Sequence, residues 1–515
     1  MAGCLPCGGR RVPTWDVRGL SGLEARTMTE LIGDGLLPRG RLSGEVQSRP
    51  NDEHRPSGSA ALLTAMCLGL TLSMFNATVV NVMLPTMRGA LHVSGTSLQW
   101  VAALFTLCNA ALLLAGGALG ELIGKRMTFL SGVAVFTVGS AACAAAPSLG
   151  VLLAARTVQA IGVAVMTPQT LSILVTEYTD RTRRARAVGI WAGMASLGLA
   201  AGPVVGGVVI DVGSWRGGFM VSAVLGAVTL VLGLRVISRT RYGRPAHAAT
   251  PDFAGAALSV LALAALVFGL IESATLGWNS PFIVGAFALA ASATAAFILT
   301  QRAASGRGRS PLMPLELWRS RGFVAANTAG LAYFFALFGI LYFCSVYLQQ
   351  YRNFSTLEAG LTFLPMTIVM ALVGPVSGRL SARFTTTSLT VAGLLVAATG
   401  TLSLALLTAG GAVGVMCSLA LFGLGAGLMS SPMSNMAVSS AAARHSGAAS
   451  ATHNAFRQIG STLGVAALGT MVAAGHHAAG DTKAAFSTGL SHAMMAVAVV
   501  LAVCALAVAM LGRRR

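Results

Sequence analysis

The chain has 515 residues, of which 55% are hydrophobic and only 10% charged, and its mean hydropathy is +0.74. Soluble globular domains carry about 25% charged residues, so this composition excludes a water-soluble enzyme or binding module. A formal net charge of +19 would fit a nucleic-acid binder, but the basic residues are distributed by topology, as the chain order makes plain.

Residues 1–59 are polar and rich in Gly, Arg and Pro. They hold neither an apolar core nor a signal-peptide apolar stretch, and read as a disordered cytoplasmic tail; an over-long start, with Met28 or Met66 as first residue, stays open. Cys4 and Cys7 form one Cys-x-x-Cys without a second pair, too little for zinc, so no metal and no cofactor are expected. From residue 60 on, segments of the ~20-residue length that crosses a bilayer recur at 60–84, 98–119, 127–146, 150–175, 186–210, 217–237, 253–275, 281–301, 323–347, 358–380, 387–408, 412–436, 446–474 and 488–511. Long apolar runs without period-two alternation are helices, not barrel strands. The predicted fold is therefore all-α integral membrane with fourteen spans. An even number puts both termini on one side, where 29 Lys and Arg collect against four on the other, Arg88, Arg216, Arg352 and Lys483. That asymmetry places both termini in the cytoplasm of a multi-pass inner-membrane protein. Loops are short except 238–252 and 302–321. No Gly-x-x-x-x-Gly-Lys-Ser/Thr motif occurs, so energy must come from an ion gradient or the substrate gradient.

Four stretches depart from generic apolar helix. Span 1 carries Asn76, Thr78 and Asn81 before Pro85. Unpaired polar groups are costly there, so they either bond neighbouring helices or line a wet cavity. After span 2 come Gly116, Gly117, Gly120, Glu121, Gly124, Lys125 and Arg126, a tight corner with a compact charged cluster. Span 4 holds Arg156, Gln159, Gly162 and Pro168. A charge within a span is by default a functional candidate facing the interior; an arginine snorkelling to the headgroups is the competing reading. Span 5 reads Gly198, Gly202, Pro203, Gly206, Gly207. Glycines four apart line one helix face for close packing, and the proline adds a kink.

These stretches resemble the signature motifs of the major facilitator superfamily, specifically its fourteen-span drug/proton antiporters of the EmrB/QacA type. The resemblance runs from residue 60 to about 475 and includes Trp100, Trp215-Arg216, 311–323, Tyr347 to Gln349, Glu358 to Gly360 and Arg457 to Gly460. It implies two six-helix bundles rocking about a midplane cavity, at 60–237 and 323–515, with two inserted spans and linkers at 238–322. It further implies that Glu121 and Arg126 latch the bundles, that Arg156 is the buried arginine associated with proton transfer, and that Gly202, Pro203, Gly206 and Gly207 form the kink controlling leakage. The function it implies is secondary active efflux of antibiotics or other drugs, with a facilitator or uptake carrier as the alternative. The expected partners are small lipophilic substrates, protons and the lipid bilayer, and the expected state is a monomer.

One departure bears on energetics: where the family usually has an aspartate in span 1, this chain has Asn76, and an amide carries no proton. Glu272 lies in the inserted pair and Asp211 at a span end, both poor positions for coupling. His453 stands four residues before Arg457 on one face of span 13, either a titrating group or a packing histidine. Asn76, Arg156, Gln159, His453 and Arg457 are therefore the substrate and coupling candidates. Eight of the chain's 33 aromatics crowd 323–347. Phe334, Phe335, Phe338 and Tyr342 are candidates to line an aromatic cavity, with lipid-facing bulk as the other explanation.

Overall fold

The computed structural model describes residues 60–178, 180–238, 252–306, 312–381, 383–407, 411–441, 446–479 and 483–512. The predicted tail with Cys4 and Cys7, most of loop 238–252, and residues 307–311 fall outside these. The helices are α1 Ala60–Leu91, α2 Gly95–Ile123, α3 Lys125–Ala145, α4 Leu149–Glu177, α5 Arg181–Val212, α6 Arg216–Val236, α7 Phe253–Leu276, α8 Pro281–Gly306, α9 Arg321–Val346, α10 Thr356–Thr362, α11 Leu364–Leu380, α12 Thr386–Leu407, α13 Ala412–Ser439, α14 Ser446–Ala479 and α15 Lys483–Gly512.

Among the described residues thirteen segments are long and apolar enough to cross a membrane, α10 and α11 counting as one. The remaining long helix, α14, has 34 residues and carries His453, Asn454, Arg457 and Gln458. Local chemistry sets the ends. Ser94 accepts from Ser97 N at the start of α2, Asp180 from Arg183 N at α5, and Ser320 from Phe323 N at α9, each satisfying an orphan first-turn donor. Ser355 and Glu358 form a reciprocal capping box on α10, which gives Glu358 a structural task. The α2–α3 corner turns at Gly124 with φ of 91°, a conformation that glycine adopts without Cβ strain.

Several boundaries differ from the sequence reading: α5 and α15 start five residues earlier and α8 and α14 end five residues later than expected, and two differences have a clear local cause. Helix α1 runs on through Pro85 to Leu91, seven residues past the expected end, because one proline removes a single bond, to the Asn81 carbonyl, without ending the helix. The tenth span breaks at Phe363, just before Pro365 of α11, whose missing N–H and bulky ring interrupt the ladder at Leu361.

Helix α1 packs on α4, α5, α6 and α9, α3 on α4 and α6, and α2 on α4. Helix α9 is enclosed by α13, α14 and α15, α12 lies between α13 and α15, and the α7–α8 hairpin rests through α7 on α2 and α14. Outward faces carry exposed Val138, Leu197, Phe282, Leu299, Leu372 and Val503, a concentration of bare apolar surface suited to lipid. Contacts between α1, α2 or α5 and α9, α10 or α14 recur in the half toward which α1 runs. Arg88 donates to Gln350 Oε1 at 3.1 Å, Gln349 to the Val82 carbonyl at 3.1 Å, and the Thr462 and Thr106 hydroxyls meet at 2.9 Å. In the same half Gly207 abuts the α10 backbone at Leu357, Gly360 faces the Pro203 carbonyl, and Gly469 lies against Gln99.

Candidate polar site within the helix core

Arg156 does not reach for the headgroups. Its side chain is 1% exposed, and its NH1 donates to Asn76 Oδ1 at 2.7 Å and Gln159 Oε1 at 2.8 Å. Its Nε points to the Val101 carbonyl at 3.3 Å, and the guanidinium lies 4.4 Å over the Phe105 ring and 5.8 Å from that of Phe219. Asn76 Nδ2 in turn donates to Ser222 Oγ at 3.4 Å, and Gln159 Nε2 to Ser140 Oγ at 2.8 Å. One buried cation thus gathers α1, α2, α3, α4 and α6 through neutral partners. Burying a charge is tolerable when it is fully hydrogen-bonded, and aromatic faces add to that. The sequence reading found Asn76, Arg156 and Gln159; it missed Ser140, Ser222, Phe105 and Phe219, because a lone serine or phenylalanine in an apolar helix carries no signal.

The glycine-rich stretch of α5 packs as its four-residue spacing predicts. A Cβ at Gly198 would stand 2.7 Å from the Thr71 carbonyl, one at Gly202 would collide with Thr78 Oγ1, and one at Gly206 would meet Val79, so this face lies flat on α1. Pro203 has no N–H for the Leu199 carbonyl one turn earlier. Thr78 Oγ1 donates to that carbonyl from α1 at 3.2 Å. The sequence singled out Thr78, Gly202 and Pro203 separately; the structure joins them into one joint. Gly207, on another face, meets Leu357 and Thr356 of α10.

At the α2–α3 corner, Gly116 packs against the Ala164 carbonyl and Gly120 against the Gln169 side chain. Gln169 Nε2 donates to the Gly116 carbonyl at 3.0 Å. Arg126, buried, donates to the Ile237 carbonyl at 2.8 Å, holding α3 to the end of α6, and Lys125 reaches Thr176 Oγ1 at 2.8 Å. Glu121 lies on α2; its side chain is outside what the structure describes.

A second polar group sits on α14 against α9. Arg457, half-buried, lies 4.2 Å over the Phe334 ring and donates to Asn454 Oδ1 at 3.2 Å. His453 is 3% exposed, and neither ring nitrogen has a hydrogen-bond partner. Of the eight aromatics, Phe323, Tyr333, Phe334, Phe338, Tyr342, Phe343 and Tyr347 are buried inside the protein. Phe335 is partly buried, so lipid-facing bulk does not explain the cluster. Phe334 and Phe338 stack at 5.9 Å, and Tyr342 meets Phe343 edge-on at 4.6 Å. Glu272 accepts from Trp100 Nε1 at 2.7 Å and from Thr275 at 2.8 Å, a tie between α7 and α2. Asp211 is exposed at the end of α5.

The family model described as Major Facilitator Superfamily matches residues 66–259 and 252–465. The methylenomycin A resistance protein of Streptomyces coelicolor is 35% identical over 424 residues, 82% of this chain and 88% of that protein. The multidrug resistance protein Stp of Mycobacterium tuberculosis is 34% identical, covering 80% of this chain and 75% of its own. The tetracenomycin C resistance and export protein of Streptomyces glaucescens is 32% identical, covering 84% and 80%. Among solved structures, a POT family transporter in complex with 5-aminolevulinic acid superposes with a TM-score of 0.64 at 16% identity, over 87% of this chain and 95% of that one, a likeness of fold.

Proposed function

The chain belongs to the Major Facilitator Superfamily, as a multi-pass membrane transporter and not an enzyme, and from that premise we propose that it exports small lipophilic antibiotics or drugs from the cytoplasm by proton antiport. The observation that carries export is the breadth of likeness to resistance and export proteins, at 80% or more of this chain. Residues 60–237 and 323–515 act as two bundles rocking by alternating access, with 238–322 inserted between them and 1–59 a tail. Both termini face the cytoplasm of an inner membrane, and the protein works as a monomer. The seam contacts at Arg88–Gln350, Gln349–Val82 and Gly207–Leu357 support a conformation closed on the outer side.

Arg156, with Asn76 and Gln159, tunes the cavity, and another group carries the protons. Arg457 and His453 face substrate beside Phe334, Phe335, Phe338 and Tyr342. Glu121 and Arg126 bias the two-bundle equilibrium, while Gly202, Pro203, Gly206 and Gly207 seal the closed pathway. Because Asn76 titrates no proton, uncoupled facilitation is the second reading. Expression in a drug-sensitive host, with susceptibility profiling, tests export: unchanged susceptibility across a broad antibiotic panel refutes it. Everted vesicles test coupling, since transport that survives collapse of the pH gradient favours facilitation.

A further inference from the structure

The two interior arginines are differently provided for. Arg156 is met by Asn76, Gln159, the Val101 carbonyl and two aromatic rings. Arg457 has one long bond, to Asn454 at 3.2 Å, and one ring face, and its Nε has no partner. His453, one turn before it, has two unpartnered ring nitrogens, and the neighbouring Thr452 hydroxyl is unpartnered too. Gly330 of α9 lets both side chains pack against that helix, for a Cβ there would stand 2.9 Å from His453 Cε1 and 3.2 Å from Arg457 Cγ.

Among the described residues no carboxylate is at hand for this cation. From residue 60 onward the acids are Glu121, Glu177, Asp180, Asp211, Asp252, Glu272, Glu316, Glu358 and Asp481. None lies on α9, and none on α14. Glu272, the acid deepest along its helix, is engaged by Trp100 and Thr275. A guanidinium in a low-dielectric interior, short of acceptors, is held at a cost that an incoming anion removes. Its planar fork matches a carboxylate, and the imidazole one turn earlier supplies one further donor.

We propose that Arg457, with His453, binds the anionic group of the transported molecule, so that the substrate is an organic carboxylate or similar anion whose apolar body packs among the aromatic residues of α9. This deepens the export reading and rests on it for the word substrate. The site's preference is the reverse of that expected of a pump for lipophilic cations, which needs an acid where this chain has a base.

The test uses the purified full-length protein in detergent and three isosteric probes, 1-naphthoate, 1-naphthalenemethanol and 1-naphthylmethylammonium, with affinities from microscale thermophoresis. The naphthoate should bind at least tenfold tighter than the alcohol, and the ammonium weakest of the three. Arg457→Gln should erase the tenfold preference while changing alcohol affinity less than twofold, and Arg457→Lys should restore part of it. Arg457→Gln should also raise the melting temperature of the ligand-free protein, because it removes an under-coordinated charge. Gly330→Val, whose side chain would press on His453 and Arg457 and displace them, should weaken the naphthoate at unchanged charge. Equal binding of naphthoate and alcohol, or a preference that persists in Arg457→Gln, overturns the proposal. Failure here with resistance intact in cells leaves export standing; anion binding without resistance or transport sinks export and leaves the site.

Discussion

The joint between α1 and α5 permits a quantitative test. Pro203 leaves the Leu199 carbonyl without its helical donor, and Thr78 Oγ1 reaches it at 3.2 Å from α1. Thr78→Val keeps the shape and removes the donor. An unsatisfied buried acceptor costs about 1–3 kcal/mol, but interhelical hydrogen bonds in membrane proteins average about 0.6 kcal/mol with a maximum near 1.7. The hydroxyl also lies 3.2 Å from the Met74 and Phe75 carbonyls of its own helix, so its single proton is shared and a loss of about 1 kcal/mol is expected. That is about a fivefold change in the folding equilibrium. Pro203→Ala returns an N–H to position 203, the Leu199 carbonyl regains its own helical bond, and Thr78→Val in that background should cost close to nothing. The assay is a double-mutant cycle from reversible unfolding in mixed micelles, with a coupling energy of about 1 kcal/mol expected for neighbours that share a bond. An equal cost in both backgrounds would show that Thr78 serves its own helix and that the interhelical bond is incidental.

Three further outcomes follow from the geometry. Asn76→Ala strips an acceptor from a guanidinium that is 1% exposed; hydrogen bonds to charged groups are worth about 1.5–3 kcal/mol, so a fall of several degrees in melting temperature is expected, with Asn76→Asp keeping the stability through an ion pair. A melting temperature unchanged in Asn76→Ala refutes the five-helix role of Arg156. Arg88→Cys with Gln350→Cys, at positions whose native side-chain tips meet across the seam, should be joined by a bifunctional maleimide in a background stripped of other cysteines, and the bridge should stop transport; free transport in the cross-linked protein contradicts a moving seam. Glu272→Leu removes the acceptor of Trp100 Nε1 at 2.7 Å and, because Glu272 is partly exposed, should cost about 1 kcal/mol after solvent screening, read as increased protease access to the α7–α8 hairpin without loss of the other helices. Unaltered proteolysis would show that apolar packing alone holds the hairpin.

Much of this architecture is legible in the sequence because the bilayer imposes a length and an apolarity on each pass. The signal is weakest where helices do chemistry. Helix α14 carries His453, Asn454, Arg457 and Gln458 in its first half, and of these His453 and Gln458 are buried, so an average over the helix overstates its cost in lipid. A hydropathy average counts a residue without knowing which way it faces. The same ignorance left Arg156 ambiguous between headgroup and interior until Asn76, Gln159 and the Val101 carbonyl were seen around it. Spacing did better than composition: glycines four apart announce a flat face, and Gly198, Gly202 and Gly206 lie on α1 as that face requires. What spacing cannot give is the partner. Thr78 and Pro203 stand 125 positions apart in the chain, and only the folded pair reveals that a proline's missing hydrogen bond is repaired by a threonine from another helix. That repair has a mechanical consequence. A kink whose freed carbonyl is bonded internally is a fixed bend, whereas one bonded across an interface keeps its angle only while α1 and α5 stay in register, so any rocking that slides one along the other must break or replace that bond.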